Sequence, residues 1–202
     1  MKVVLASNNE HKLREISQIL AHCGMQVISQ REAGLHLAPE ETGATFEENS
    51  YIKAKAIFDA CGLPTVADDS GLSVDALAGA PGVYSARFGG ETCRTDRERL
   101  EHLLEVMRQV PDGERGAKFV SVITFLLPDG RRIVARGEAH GEILRSPRGE
   151  NGFGYDPVFY YPPLRCSFAE LSPEEKNEVS HRARALRAFT EKLTQEGYHA
   201  DK

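Results

Sequence analysis

Apolar and polar residues alternate along the chain in blocks that predict strands and helices in turn. The mostly apolar run from Lys2 to Ala6 predicts a buried first strand. It leads directly into a helix from about Asn9 to His22, where apolar side chains recur at helical spacing. Met25 to Ser29 predicts a second short strand, and a loop follows from about Arg31 to Ala44. The chain therefore begins with a strand–helix–strand unit.

Capping boxes predict where three further helices begin. Thr45-Phe46-Glu47-Glu48 opens a helix to about Cys61, and Thr95-Asp96-Arg97-Glu98 opens another. Ser172-Pro173-Glu174-Glu175 has proline at the first helical position and starts a C-terminal helix. One apolar stripe predicts that this last helix is continuous, with the members Val179, Ala183, Leu186, Phe189 and Leu193.

The remaining apolar runs predict strands. Leu63 to Asp68 is a strand that is expected to end in two carboxylates, Asp68-Asp69. Lys118 to Leu127 and Arg131 to Ile143 predict a long hairpin, and Val158 to Tyr161 is a short apolar run. Strand–helix units combined with a hairpin predict an α/β fold around a mixed sheet.

Composition favours a single domain of 202 residues, with room for a division into two lobes. Hydrophobic residues make up 41% of the chain, which supports a substantial core, and charged residues make up 27%. The formal net charge is -5 and there is no block rich in lysine and arginine, so a nucleic-acid-binding face is not expected. Positive charge for a polyanionic ligand must therefore be concentrated in one pocket.

Cysteine and histidine usage favours the reducing cytoplasm. No apolar run is long enough for a membrane span or a secretory signal. The histidines lack metal-ligand spacing, and the cysteines form no C-x-x-C pair, so neither a zinc site nor a disulfide set is expected. The four cysteines are Cys23, Cys61, Cys93 and Cys166.

The junction of the first strand and helix is a candidate phosphate site. Ser7-Asn8-Asn9-Glu10-His11-Lys12 leaves backbone N–H groups at the positive end of a helix dipole. Lys12 lies one turn into the helix, within reach of the same anion. The structural alternative is that Ser7 or Asn8 only caps the helix and that Lys12 is solvated.

The second helix carries a lysine on an apolar face. Phe46, Ile57 and Ala60 define this face at 3.6 residues per turn; Asn49 lies on it and Lys53 falls in its middle. A lysine there is unfavourable unless its ammonium reaches a partner or a cavity. We expect that this ammonium serves a ligand and is unpaired without one; the alternative is a lysine that ends in water.

Carboxylates near these cations suit a metal–triphosphate complex. Asp68 and Asp69 end a predicted strand, and Glu41 lies in the loop upstream. Magnesium takes one or two carboxylates and leaves its other positions to water and phosphates. An isolated Asp-Asp pair is weak evidence, because such pairs also cap helices and turns.

A glycine-rich loop and the last helix offer groups for a base. The loop from Gly149 to Asp156 contains Phe153 and Tyr155, which can stack on a base or fold into the core. Arg182 lies in the apolar stripe of the last helix, where its fork of donors suits phosphate or a carbonyl oxygen. A buried ion pair is the alternative explanation for Arg182.

Six ordered motifs resemble the Ham1-like inosine triphosphate pyrophosphatases, a family that acts on noncanonical purine nucleotides. The resemblance covers nearly the whole chain, and the motifs are specific only in combination. They are S-x-N-x-x-K at Ser7–Lys12, F-x-E-N at Phe46–Asn49, A-D-D-S-G-L at Ala67–Leu72, P-G-V-Y-S-A-R-F at Pro81–Phe88, G-F-G-Y-D-P at Gly152–Pro157 and K-N-x-x-S-H-R at Lys176–Arg182.

The resemblance implies a homodimer with an elongated mixed sheet flanked by helices and an active-site cleft between two lobes. It implies magnesium-dependent hydrolysis of ITP, dITP and XTP to the monophosphate and pyrophosphate, which cleanses the nucleotide pool. Asp69 is then the general base and a metal ligand, with Glu41 as the second metal carboxylate. The implied substrate contacts are Ser7, Asn8, Asn9, Glu10, His11, Lys12, Lys53, Ser70, Arg87, Phe153, Gly154, Tyr155, Asp156, Lys176, His181 and Arg182.

Two other functions are compatible with parts of this pattern. One is a pyrophosphatase for other modified nucleotides, such as methylated pyrimidine or guanine forms. The segments near Phe153 and Arg182 favour an oxo-purine instead. The other is a non-catalytic nucleotide sensor, which would not need the paired carboxylates Glu41 and Asp69.

Overall fold

The computed structural model describes residues 1–196, so residues 197–202 of the predicted 1–202 domain lie outside the described part. Its helices are α1 (Glu10–Ala21), α2 (Phe46–Cys61), α3 (Asp96–Val106), α4 (Pro173–Val179) and α5 (His181–Gln195). Its strands are β1 (Lys2–Leu5), β2 (Gln26–Ser29), β3 (Thr65–Val74), β4 (Gly116–Leu126), β5 (Arg132–Ile143), β6 (Phe159–Tyr161) and β7 (Cys166–Ser167). None of these helices is long and apolar enough to cross a membrane.

The strands follow the order β2-β1-β3-β4-β5-β6-β7 in one mixed sheet. β1 runs parallel to both β2 and β3, whereas β6 runs antiparallel to β5 and β7. The helical crossovers through α1 and α2 make the parallel pairs possible, since such pairs need a long connection. The predicted α/β fold with a mixed sheet is confirmed.

The chain divides into two compact units. The first contains Met1–Asp69, Ser121–Gly137 and residues 182–196; the second contains Ser70–Val120 and Glu138–His181. The second unit has its own apolar core, in which the rings of Phe119, Phe159 and Phe168 pack together. The cleft expected between two lobes stays a prediction.

The first unit is layered on both faces of β1. Val3 and Leu5 pack in one cluster with residues of α1 and α5, whereas Val4 packs in another with Ala54 and Ile57 of α2. Successive strand residues point to opposite faces, so a continuous apolar strand has a helix layer on each side. This arrangement explains why the first strand is a run of apolar residues.

The prediction that Leu63 to Asp68 forms a strand ending at two carboxylates was wrong about the end. β3 continues to Val74, so Asp68 and Asp69 lie inside the strand. Leu72 and Val74 alternate into the core of the second unit, and their burial extends the strand beyond the acidic pair.

The prediction of one continuous C-terminal helix was also wrong. Ser172 caps α4 as expected, but Ser180 is extended at φ -66° and ψ 159°, and α5 begins at His181. Val179 packs against the core of the second unit, whereas Leu186 and Phe189 belong to the core of the first. The residues of the apparent stripe therefore pack in two different cores, and the helix is interrupted at Ser180.

Candidate active site

The two neighbouring carboxylates of β3 have separate partners. Asp68 and Asp69 are successive strand residues, so their side chains leave opposite faces of the sheet. Asp68 is paired with Lys12 and Arg182, whereas Asp69 is paired with Lys53. Each acid of this dipeptide thus belongs to its own cluster of charged side chains within the first unit.

Asp68 is the centre of a buried charge cluster. Its Oδ2 lies 2.8 Å from Lys12 Nζ and 3.3 Å from Arg182 Nη2, and its Oδ1 accepts a 2.5 Å hydrogen bond from Ser121 Oγ. Burial acts to raise the pKa of Asp68, but the two cations and Ser121 together hold that pKa well below its ordinary value. Asp68 is therefore a carboxylate in the folded protein.

The partners of Asp68 are buried as well. Arg182 also forms an ion pair with Glu15 of α1, and these two carboxylates, with Asp68 ahead of Glu15, raise its pKa against the effect of burial. Burial lowers the pKa of Lys12 despite the attraction of Asp68. The geometry supports the buried ion pair that the sequence left open for Arg182, and its contact with a base stays a prediction.

Lys53 joins the second carboxylate cluster. Its Nζ lies 2.5 Å from Asp69 Oδ1 and 2.8 Å from Glu41 Oε1, and the Lys53 side chain is 12% exposed. The expectation that this ammonium is unpaired without a ligand was wrong, because both partners are acids of the chain itself. Ala60 is exposed, so the apolar face of α2 ends before it.

Asp69 keeps one oxygen available for chemistry. Its Oδ2 is buried and has no hydrogen-bond partner among the described residues, although Oδ1 accepts from Lys53. Burial raises the pKa of Asp69 above its ordinary value, against the opposing effect of Lys53. A buried carboxylate oxygen without a partner is unfavourable unless a ligand or water satisfies it.

Glu41 and Asp69 fit a hard divalent cation. Both bind the same ammonium, so Glu41 Oε1 and Asp69 Oδ1 can be no farther apart than the sum of their distances to Lys53 Nζ. No group of three or more His, Cys, Asp or Glu side chains in residues 1–196 is placed to hold a metal. Two carboxylates match magnesium, which takes its other ligands from water and phosphate.

Asn49 holds the loop that carries Glu41. Its Oδ1 accepts a 2.8 Å hydrogen bond from the backbone N–H of Gly43, and its side chain is fully buried. A Cβ at Gly43 would lie 2.6 Å from Glu48 Cβ and 2.7 Å from Asn49 Oδ1, so only glycine fits without displacement. The buried amide thus fixes the approach of the loop to α2, two residues after the acid.

The Ser7–Lys12 turn is capped by Asn9, and the alternative that Ser7 or Asn8 is the cap was wrong. Asn9 Oδ1 accepts from the N–H groups of His11 and Lys12, while Ser7 Oγ accepts from Asn9 N–H. Asn8 Oδ1 accepts a 2.6 Å hydrogen bond from Gln30 Nε2. Glu10 is exposed at the first helical position. The turn is therefore held in place by side chains on both sides.

The second unit assembles a separate cluster from the glycine-rich loop and α4. Lys176 Nζ lies 2.6 Å from Asp156 Oδ2 and 4.8 Å from the centre of the Phe153 ring, and the ion pair is almost completely buried. Asp156 Oδ2 also accepts from the N–H of Phe153, and Asp96 Oδ2 accepts from the N–H of Gly154. Three of the predicted base contacts, Phe153, Asp156 and Lys176, are thus brought together.

The remaining predicted contacts of the second unit have different surroundings. Tyr155 is folded into the core, where its hydroxyl donates a 2.8 Å hydrogen bond to the Ser85 carbonyl. Of the two roles left open for this ring, packing in the core is therefore the one observed. His181 stacks on Phe119 with ring centres 4.7 Å apart. The exposed Arg87 lies over the ring of Tyr84. Ser70 follows Asp69 on β3 and is half-buried.

Sequence reasoning missed four residues that hold these groups in place. Their partners lie far away along the chain, so no local motif identifies them. Ser121 offered one signal, because it is a polar residue inside the apolar run of β4. The four residues are Glu15, Gln30, Asp96 and Ser121.

Comparisons with known proteins find relatives that match nearly the whole chain. A family model described as the Ham1 family matches residues 3–192. The dITP/XTP pyrophosphatase of Haemophilus ducreyi is 51% identical over 194 residues, covering 95% of this chain and 98% of the relative. A dITP/XTP pyrophosphatase of Thermus thermophilus is 51% identical over 191 residues, covering 95% of this chain and 91% of the relative.

Solved structures match over nearly the full length. The Staphylococcus aureus Ham1 protein superimposes with a TM-score of 0.86 at 41% identity, covering 97% of this chain and 100% of that one. A HAM1 protein from Coxiella burnetii has a TM-score of 0.86 at 43% identity, covering 96% and 99%.

Asp68→Asn is expected to destabilise the fold. The change removes the negative charge that faces Lys12 and Arg182, and an uncompensated buried charge costs about 3–5 kcal/mol of unfolding free energy. Asp59→Asn is the control, because Asp59 is 55% exposed and pairs with Lys55 one turn away; it should cost less than about 1 kcal/mol. Urea unfolding measures both, and equal small losses would contradict the buried role of Asp68.

Proposed function

Because the chain belongs to the Ham1 family, we propose that it hydrolyses the noncanonical purine nucleotides dITP, ITP and XTP to the monophosphate and pyrophosphate. This reaction removes such nucleotides from the pool. The observation that carries the proposal is Asp69, a buried acid with one oxygen on Lys53 and the other without a partner among the described residues. The Haemophilus and Thermus relatives, named dITP/XTP pyrophosphatases, support the choice of substrate.

The proposed chemistry depends on charge neutralisation and an oriented water. Asp69 Oδ2 accepts a hydrogen bond from a water molecule and takes its proton as that water attacks the α-phosphorus. The bond from this phosphorus to the oxygen that bridges to the β-phosphate breaks, and pyrophosphate leaves. Lys12 pairs with Asp68 and Lys53 pairs with Asp69, and the two ammonium groups offset the charge that builds up on the phosphate oxygens. General-base assistance of this kind contributes about 10²–10⁴ in rate.

Magnesium is the metal that we propose for Glu41 and Asp69. Bound there, it would supply Lewis-acid neutralisation of the phosphate oxygens. Both carboxylates lie within ion-pair distance of the same nitrogen, Lys53 Nζ, and Asn49 holds the loop of Glu41 in place. We also propose a homodimer, which the resemblance implies, and a cytoplasmic location, which the scattered cysteines of the sequence favour.

We propose that the purine base is enclosed by Phe153, the backbone of Gly154 and Tyr155, and the side chains of Asp156, Lys176, His181 and Arg182. Phe153 offers a ring face and is half-buried beside the Lys176–Asp156 pair. Ser7–Lys12, Ser70 and Arg87 complete the proposed substrate contacts. Lys176 supplies a cationic donor that suits an oxo group.

Cleavage is expected between the α and β phosphates. Incubation with ITP and magnesium should yield IMP and pyrophosphate, which ion-exchange chromatography separates from other products. Formation of IDP and orthophosphate would contradict this bond assignment. Tight binding without turnover would instead favour the nucleotide-sensor alternative.

Oxo-purine nucleotides should be strongly preferred to adenine nucleotides. A 6-oxo group can accept a further hydrogen bond from a cationic donor such as Lys176 or Arg182, whereas a 6-amino group presents a second donor that these cations disfavour. Sites built on such hydrogen bonds reject mismatched analogues by up to about 10⁴–10⁵. Steady-state kcat/KM for ITP and ATP tests this, and similar values would rule out the proposed base contacts.

Asp69→Asn is expected to lower kcat by roughly 10² or more, because an amide cannot accept the proton of the attacking water. The fold should survive, because the change is nearly isosteric and Glu41 still pairs with Lys53; circular dichroism and thermal unfolding can check this. Asp59→Asn is the matched control and should keep wild-type turnover, because Asp59 is exposed and pairs with Lys55 rather than with a residue of the site. Near-normal turnover of Asp69→Asn would move the base role to another group.

A further inference from the structure

We infer that Lys53 is a built-in competitor for the metal: its ammonium occupies the carboxylates of Glu41 and Asp69 and must leave them when a divalent cation binds. The inference rests on the proposed function, because that proposal assigns both acids to the metal. It adds a role for Lys53 in controlling when the metal binds. The observation behind it is the pair of contacts at 2.8 Å and 2.5 Å from one nitrogen.

The geometry makes simultaneous occupation unfavourable. Lys53 Nζ lies within ion-pair distance of an oxygen on each acid, and its side chain is largely buried. A divalent cation that used these same acids would lie a few ångströms from the ammonium, where like charges repel, and the largely buried Lys53 and Asp69 limit screening by water. The ammonium and the cation therefore exclude each other from this position.

Lysine is suited to move away, whereas the acids are not. Its charge is carried on a flexible four-carbon stem, while Asp69 is fixed in β3 and the loop of Glu41 is tied to Asn49. In the absence of a cation, Lys53 offsets the repulsion between two carboxylates that lie close together. Once displaced, the same ammonium is available to a phosphate oxygen.

Metal and triphosphate binding are thereby coupled through one side chain. A cation that arrives alone must displace Lys53 from two acids, and the ammonium gains no new partner. A cation that arrives with a triphosphate displaces Lys53 towards an anion that it can bind. Each ligand consequently strengthens the binding of the other, as linkage requires. The site therefore binds free metal weakly and binds the metal–nucleotide complex more tightly.

The test is direct binding of Mn²⁺, as a magnesium substitute, to the metal-free full-length protein without nucleotide. Isothermal titration calorimetry should give an affinity for Lys53→Met about tenfold or more above that of the wild type, because the competing charge is gone. Lys55→Met is the matched control on the same helix, since Lys55 is exposed and pairs with Asp59; its affinity should match the wild type. Equal or weaker binding by Lys53→Met would overturn the inference.

Two further variants separate charge from shape. Lys53→Arg keeps the positive charge and should not gain affinity, whereas Lys53→Gln removes the charge with a different side chain and should gain it. Thermal unfolding gives a second readout: Lys53→Met should have a lower Tm without metal, and Mg²⁺ should raise that Tm more than it raises the wild-type value. If the neutral variants fold only with Mg²⁺, the same competition is demonstrated.

The location of the metal is checked with Glu41→Gln, which should weaken Mn²⁺ binding in the Lys53→Met background. Binding that is unaffected by Glu41→Gln would place the metal elsewhere and overturn the inference. Failure of this inference and failure of the proposed function remain distinguishable. Wild-type protein that releases pyrophosphate while Lys53→Met shows no gain in affinity refutes only the competition. A gain in affinity without hydrolysis by the wild type refutes only the function.

Discussion

The first unit depends on keeping Asp68 ionised in a buried position. A carboxylate taken out of solvent must be matched by cations and hydrogen-bond donors, or it becomes protonated and the charge balance fails. Its cations come from α1 and α5 and its donor from β4, so Lys12, Arg182 and Ser121 converge on one side chain. One buried charge thus fixes how segments from both ends of the chain meet the central strand.

The same strand explains why its two neighbouring acids differ. Asp68 has two cations and its pKa is lowered, whereas burial raises the pKa of Asp69, whose Oδ2 is left without a partner among the described residues. Environments that push the pKa values of two neighbouring acids apart give the two acids different roles. The alternation of the strand is sufficient to produce this division, because it sends adjacent side chains to opposite faces.

Local signals predicted the elements well where the responsible interactions are themselves local. The capping boxes at Thr45 and Thr95 begin their helices at the expected positions, since each box closes within four residues. The break at Ser180 was not predictable in this way. Val179 and Leu186 follow one helical period, but they pack in different cores, and that division exists only in the folded chain. The extension of β3 past Asp69 was missed for the same reason, because the core in which Leu72 and Val74 pack exists only in the folded chain.

The site shows where sequence reasoning about polar intrusions succeeds and where it ends. A lysine on an apolar face must reach a partner or a cavity, which is correct for Lys53, but the prediction that its ammonium is unpaired without a ligand was wrong. Helical spacing cannot identify its partners, Glu41 in a loop and Asp69 on a strand. What separates a structural partner from a functional one is whether the acid is fully satisfied. Asp68 is bonded through both oxygens, whereas Asp69 Oδ2 is buried without a partner in the described chain. Natural proteins tolerate such a local violation mainly where a ligand resolves it, so the partly satisfied acid is the stronger marker of function.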